Sequence, residues 1–245
     1  MATELGVATP RITDGVVLDG VSHAYGATQA LERVSLSARG GEVVAIVGPS
    51  GCGKSTLLDL VCGLTTPQAG RVEAPRAVLM PQRDQLLPWL TAADNAALAL
   101  RVNGTSKHAA REKATRLLAE LGLGGFERTR PADLSGGMRQ RVAFARTLLA
   151  GAPLLCLDEP FGALDAITRA DTQAWLAEAL RRSPRTVLLV THDVEEAVLL
   201  ADTVVVLSPR PGRVVKRLRI DLPPGRTATD PGVVELRAEA LAAMR

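Results

Sequence analysis

The segment Gly48-Pro49-Ser50-Gly51-Cys52-Gly53-Lys54-Ser55-Thr56 constrains this chain more than any other. It fits the pattern G-x-x-x-x-G-K-[ST] and lies between the apolar run Glu42–Val47 and a stretch of helical spacing, Lys54–Cys62, that stops at Gly63. Strand, glycine-rich turn and helix in that order make a phosphate cradle. Backbone N–H groups converge on phosphate oxygens, and the partial positive charge of the helix N-terminus adds to them. Within such a loop Lys54 reaches the β- and γ-phosphates of a nucleotide, and the Ser55 hydroxyl ligates Mg2+.

The remaining patterning predicts the scaffold such a loop requires. Val16–Leu18 and Val34–Ala38 alternate as half-buried antiparallel strands do. Further strands are predicted at Ala77–Met80, Leu154–Leu157, Thr186–Val190 and Thr203–Leu207, and helices at Ile167–Arg181 and Val194–Ala201. Between them, Thr91 to Leu121 is Ala-rich, charged and helix-forming, with a capping pattern at Thr91-Ala92-Ala93-Asp94 and a stop at Gly122. Another helix begins near Ser135. Alternating strands and helices predict an α/β fold with a mainly parallel sheet, preceded by antiparallel strands and interrupted by a helical insert.

Composition removes several classes. Aromatics amount to 2% of the 245 residues, so a broad base-stacking surface is excluded and an aliphatic core is predicted. The net charge of +3 is spread along the chain. Its one dense patch, Arg210 to Arg219, alternates with Val214, Val215 and Leu218 like an edge strand with one wet face, so no nucleic-acid partner is expected. Cys52, Cys62 and Cys156 show no zinc or disulfide spacing. Met1–Asp14 has no signal-peptide pattern, and the apolar runs are strand-length, so an intracellular chain that does not cross a membrane is expected.

A second site accompanies the loop. Leu154-Leu155-Cys156-Leu157-Asp158-Glu159 is an apolar strand ending in two carboxylates, and ligands of open α/β sheets bind beyond such strand ends. Asp158 is suited to Mg2+ and Glu159 to polarising an attacking water. Leu134-Ser135-Gly136-Gly137-Met138-Arg139-Gln140-Arg141 opens a helix with bare N–H donors and a hydroxyl, again suited to an anion.

With these motifs in order, the chain resembles the ATP-binding subunits of ABC transporters, from Tyr25 to Arg213. The resemblance implies a P-loop NTPase of ABC ATPase type, a single domain over 1–245 with a helical subdomain inserted at approximately 86–150 and no C-terminal regulatory domain. It assigns Ser135, Gly136 and Gly137 to the signature, Gln82 to the loop that links Mg2+ with a transmembrane partner, Asp165 to the dimer-crossing loop and His192 to the γ-phosphate switch. It gives Tyr25 the place of the adenine-stacking aromatic. One phosphate loop and one signature per chain imply a symmetric homodimer with two shared ATP–Mg2+ sites. Permease subunits, an extracytoplasmic solute-binding protein and a peripheral place on the cytoplasmic face of the membrane are implied as well.

Leu86-Leu87-Pro88-Trp89-Leu90-Thr91 with Asp94-Asn95, Pro160–Arg169 and Ser208–Arg213 resemble the nitrate, sulfonate and taurine branch of importers. They are shared with importers of thiamine pyrimidine precursors. Leu86–Asn95 is expected to shape a permease-docking cleft, or else to pack on the helical insert. Two other classes stay open: a soluble ABC ATPase acting on nucleic acid, and a phosphoryl-transfer kinase. Of the other histidines, His23 and His108 are expected at the surface or in loops, and Cys52 is expected to be structural filler.

Overall fold

The computed structural model describes residues 15–182 and 184–244, so the expectation for Met1–Asp14 lies outside the described residues. In chain order the elements are β1 (Val16–Tyr25), β2 (Thr28–Ala38), β3 (Val43–Val47), α1 (Lys54–Val61), β4 (Ala69–Glu73) and β5 (Ala77–Met80). Helices α2 (Ala92–Val102), α3 (Lys107–Glu120) and α4 (Gly136–Leu149) follow. The chain then runs through β6 (Leu154–Asp158), α5 (Ala166–Arg182), β7 (Thr186–Thr191), α6 (Val194–Leu200), β8 (Thr203–Leu207), β9 (Val214–Arg219) and α7 (Pro231–Ala243). Two compact units result. Among the described residues, one takes those up to Leu79, Pro153–Glu159 and those from Ala179 onward; the other takes Met80–Ala152 and Pro160–Glu178.

The first unit carries both sheets. Its larger sheet has the order β5-β6-β7-β3-β8-β9. Strands β6, β7, β3 and β8 are parallel neighbours, while β9 runs antiparallel to β8. Every residue of those four parallel strands is buried, as continuous Val/Leu/Ile runs require when both faces of a sheet are covered. β9 is the wet-faced edge strand, with Leu218 turned inward and Arg217 and Arg219 outward. The aliphatic core joins Val44, Ile46, Leu57, Leu58, Leu188 and Val205 to the inward side chains of β1 and β2.

The smaller sheet, β2-β1-β4, is antiparallel. β1 extends well beyond the predicted Val16–Leu18 because a bulge interrupts its alternation. Gly20 adopts a φ of 60°, and the register slips between Leu18 and Val21. An extra residue moves the inward face from Val16 and Leu18 to Val21 and His23. His23 is therefore buried, not superficial as expected, with its ring edge-on to Tyr25 at 4.8 Å. His108 lies exposed on α3.

In the second unit α2, α3 and α4 pack through small residues, with Ala93, Ala96, Ala97, Ala110 and Ala114 all buried. Its core is not wholly aliphatic. Phe144 and Phe161 are almost fully buried and Trp175 stands edge-on to Phe144, so three of the chain's few aromatics gather here. Among the described residues no helix is long and apolar enough to cross a membrane.

Candidate active site

The first unit assembles the phosphate loop from two sides. β3 delivers Gly48, and the chain turns through Pro49, Ser50, Gly51 and Cys52 before Gly53 caps α1 with φ 102°. Only glycine suits Gly53: a Cβ there would stand 2.6 Å from Leu31 Cδ2 and 2.8 Å from the Ala30 carbonyl, at a backbone angle other residues avoid. No side chain caps α1, and its first turn has no acidic residue, so its N–H donors stay available to an anion. Lys54 is buried and donates to the carbonyls of Gly48 at 2.7 Å and Pro49 at 3.1 Å, which curls its ammonium into the loop. Cys52 is fully buried, and burial pushes its thiol up, as for a small side chain packed within the loop. Ser55 is exposed at the start of α1, and Thr56 is buried beneath it.

β6 brings Asp158 and Glu159 beside that loop. Asp158 is buried, and desolvation raises its pKa; the neighbouring Glu159 and Asp59 raise it further, against a Ser55 hydroxyl donor and the Lys54 charge. A desolvated carboxylate sharing a hydroxyl with an ammonium nearby fits a hard divalent cation held by oxygen ligands. Glu159 sits in the left-handed region at φ 48°, where a side chain of this size costs about 1–3 kcal/mol. Its amide donates to the Val190 carbonyl at 2.8 Å, and its Oε1 lies 3.3 Å from His192 Nδ1. His192 occupies a short joint: β7 ends at Thr191, whose hydroxyl accepts from the Asp193 amide, and Asp193 caps α6 by accepting from Glu195 and Glu196. The imidazole is thereby held at a strand end and remains exposed. Tyr25 closes β1 at the hairpin and is 53% exposed, a free π-face steadied by buried His23.

The second unit holds the other predicted residues. Ser135 caps α4 by accepting from the Met138 amide at 3.2 Å, and Gly136 and Gly137 form the first turn. A Cβ on Gly137 would come 3.2 Å from Leu164, so signature and Asp165 loop lie side by side. Asp165 is exposed and caps α5 through the Thr168 amide at 3.0 Å, which lowers its pKa. Gln82 is exposed just after β5. Thus Tyr25, the phosphate loop, Asp158, Glu159 and His192 gather in one unit, and Gln82, Ser135–Gly137 and Asp165 in the other.

Sequence reasoning missed the supports behind these groups. Asn95 is fully buried; it accepts from the Leu87 amide and donates to the carbonyls of Leu87, Leu90 and Thr91. Asp84 accepts from Arg139 Nε at 3.0 Å, while Arg146 donates to the carbonyls of Asp84 and Gln85. A buried polar residue on an otherwise apolar helix face was the available signal for Asn95; Asp84 offered none.

Residues 31–162 match the family model described as ABC transporter. The chain is 48% identical over 206 residues to the taurine import ATP-binding protein TauB of Burkholderia thailandensis, covering 80% of this chain and 79% of that one. It is 43% identical over 230 residues to the aliphatic sulfonates import ATP-binding protein SsuB 2 of Burkholderia lata, covering 90% and 83%. Among solved structures, the dimeric post-hydrolysis state of the ATP-binding cassette MJ0796 bound to ADP and Pi superposes with a TM-score of 0.77 at 30% identity, over 84% of this chain and 99% of that one. The chain belongs to the ABC transporter family, and its α/β fold is that of the family's ATPase cassettes.

Proposed function

We infer that this chain is the ATP-hydrolysing subunit of an ABC importer, working as a homodimer on permease subunits, with taurine or a related sulfonate, or nitrate, as the imported solute. The observation that carries the reading is the Glu159–His192 pair at 3.3 Å, set at two strand ends in the unit that holds the phosphate loop. The import assignment follows the names of the taurine and sulfonate relatives. A solute-binding protein and a peripheral position on the cytoplasmic side belong to the same reading.

In this mechanism Gly48, Pro49, Ser50, Gly51, Cys52, Gly53, Lys54, Ser55 and Thr56 form the loop that wraps the phosphates of ATP, its donors being the backbone amides of every residue but Pro49, and Tyr25 stacks on adenine. Lys54 exchanges its two loop carbonyls for phosphate oxygens. Ser55 and Asp158 are the residues to hold Mg2+, with Gln82 assigned to the same ion and to transmission toward the permease. The bound Mg2+ supplies charge neutralisation on the phosphates. Glu159 accepts a proton from the attacking water, and His192 steadies the γ-phosphate while fixing the Glu159 carboxylate. Ser135, Gly136, Gly137 and Asp165 serve the nucleotide held by the opposite subunit. ATP closes the dimer, and hydrolysis reopens it.

Reconstitution tests the reading. The chain is purified with its permease into proteoliposomes and supplied with binding protein and taurine, an aliphatic sulfonate, nitrate or a thiamine pyrimidine precursor. Free phosphate release stimulated by one of the first three, with uptake of it, is the expected result. Stimulation by the pyrimidine alone moves the solute assignment. A phosphorylated solute in place of free phosphate overturns the ATPase mechanism.

A further inference from the structure

The phosphate loop has an outer support that the mechanism above does not use. Between β8 and β9, Ser208 to Arg213 forms a loop closed on itself. The Ser208 hydroxyl donates to the carbonyls of Pro209 and Pro211 and accepts from the Arg213 amide, while the Ser208 amide donates to the Arg213 carbonyl. Gly212 docks this loop onto β2, donating to the Ala30 carbonyl at 2.9 Å and accepting from the Glu32 amide at 2.9 Å. It also lies directly against the Cys52 carbonyl, where a Cβ would collide, so its backbone touches the backbone of the phosphate loop. The Ala30 carbonyl and Leu31 side chain also pack against Gly53. From this rigid mount Arg210 reaches the exposed tip of the phosphate loop, and its Nε donates to the Gly51 carbonyl at 3.1 Å.

We propose that Arg210 is a positioning residue for nucleotide binding: it fixes the Gly51 peptide so that the tip of the loop is preorganised for phosphate oxygens. The argument rests on the ATPase reading given above. The Gly51–Cys52 peptide is then held at both ends, its carbonyl by Arg210 and its amide by the Pro49 carbonyl at 3.3 Å, so it resists rotation and the amides that follow it keep their directions. A hydrogen bond from a charged donor is stronger than a neutral one, and the guanidinium adds positive charge near the phosphates. Preorganisation of this kind strengthens binding of ATP and ADP alike and leaves the chemical step unchanged. The effect belongs in KM and in the ADP dissociation constant, not in kcat.

The test compares Arg210→Ala, Arg210→Lys and Arg213→Ala in the full chain. Arg213 pairs with Glu32 at 2.7 Å in the same loop and makes a control for loop integrity. ADP affinity is measured by calorimetry, and KM and kcat by phosphate release. Arg210→Ala is expected to raise the ADP dissociation constant and the KM for ATP about threefold to tenfold, with kcat within about twofold. Arg210→Lys, which keeps the charge without the guanidinium fork, is expected to recover part of that loss, and Arg213→Ala to bind as the parent does. ADP affinity of Arg210→Ala equal to the parent's, or a fall in kcat with KM unchanged, overturns the proposal. A parent chain that binds no ADP overturns the ATPase reading instead, so the two failures are distinguishable.

Discussion

Asp158 carries the sharpest conflict between stability and function in the chain. Burial opposes its charge, and Lys54, whose charge counters that effect, is itself engaged with loop carbonyls. A carboxyl whose folded pKa is raised binds its proton more tightly in the folded state. Its favourable contribution is present below the ordinary Asp value and is lost as pH rises through the folded value. Near neutral pH the nucleotide-free protein therefore carries an unfavourable charge that Asn would not. Asp158→Asn, which still accepts from Ser55, is expected to melt higher than the parent at pH 7 and to show a smaller advantage at pH 4. The same variant is expected to lose Mg2+-dependent ATP hydrolysis. Thermal melts at the two pH values check the sign, and a lower melting temperature at pH 7 contradicts the desolvation argument.

At the level of elements, the stretch after Gln82 is held by side chains more than by regular structure. Asn95 on α2 satisfies the turn from Leu87 to Thr91 with its whole amide, and Arg146 ties the carbonyls of Asp84 and Gln85 to α4. Asn95→Ala leaves buried donors and acceptors without partners, at about 1–3 kcal/mol, and is expected to lower the melting temperature by roughly 2–8 °C. Substitution on the exposed face of the same helix, such as Arg101→Ala, is expected to leave it unchanged. The same physics decides what could be read from the sequence. β3, β6, β7 and β8 were legible as buried apolar runs, and α1 and α4 through their glycine and serine caps. β4 was not, because Ala69–Glu73 has no buried residue and pairs with β1 through its backbone. α7 escaped for a similar reason: only Val233 and Ala240 are buried, although Asp230-Pro231 marks its start. His23 was misplaced because the Gly20 bulge reverses the faces of β1, a register effect invisible to simple alternation. Of the site, the ionisable groups and glycines were legible as motifs, whereas the partners of Asp84 and Arg210 lie far along the chain, on Arg139 and Gly51, and only the fold brings them together.

For the whole molecule, coupling and dimerisation are the properties at stake. Trp89 is 67% exposed on the segment that Asn95 fixes, an apolar ring with little local packing. In the complex with permease, Trp89→Ala is expected to keep basal ATPase activity and to lose stimulation by solute-loaded binding protein by about tenfold, a loss of order 1.4 kcal/mol in coupling. Unchanged stimulation places the docking contact elsewhere. The central claim is that Glu159, strained at φ 48° and paired with His192, drives hydrolysis that reopens an ATP-closed homodimer. It is tested most directly by light scattering of Glu159→Gln with and without ATP–Mg2+, alongside phosphate release. The account predicts ATP binding equal to the parent's, a stable dimer that forms only with ATP, and turnover reduced at least about a hundredfold. Parent-like turnover by Glu159→Gln, without an ATP-trapped dimer, would contradict it.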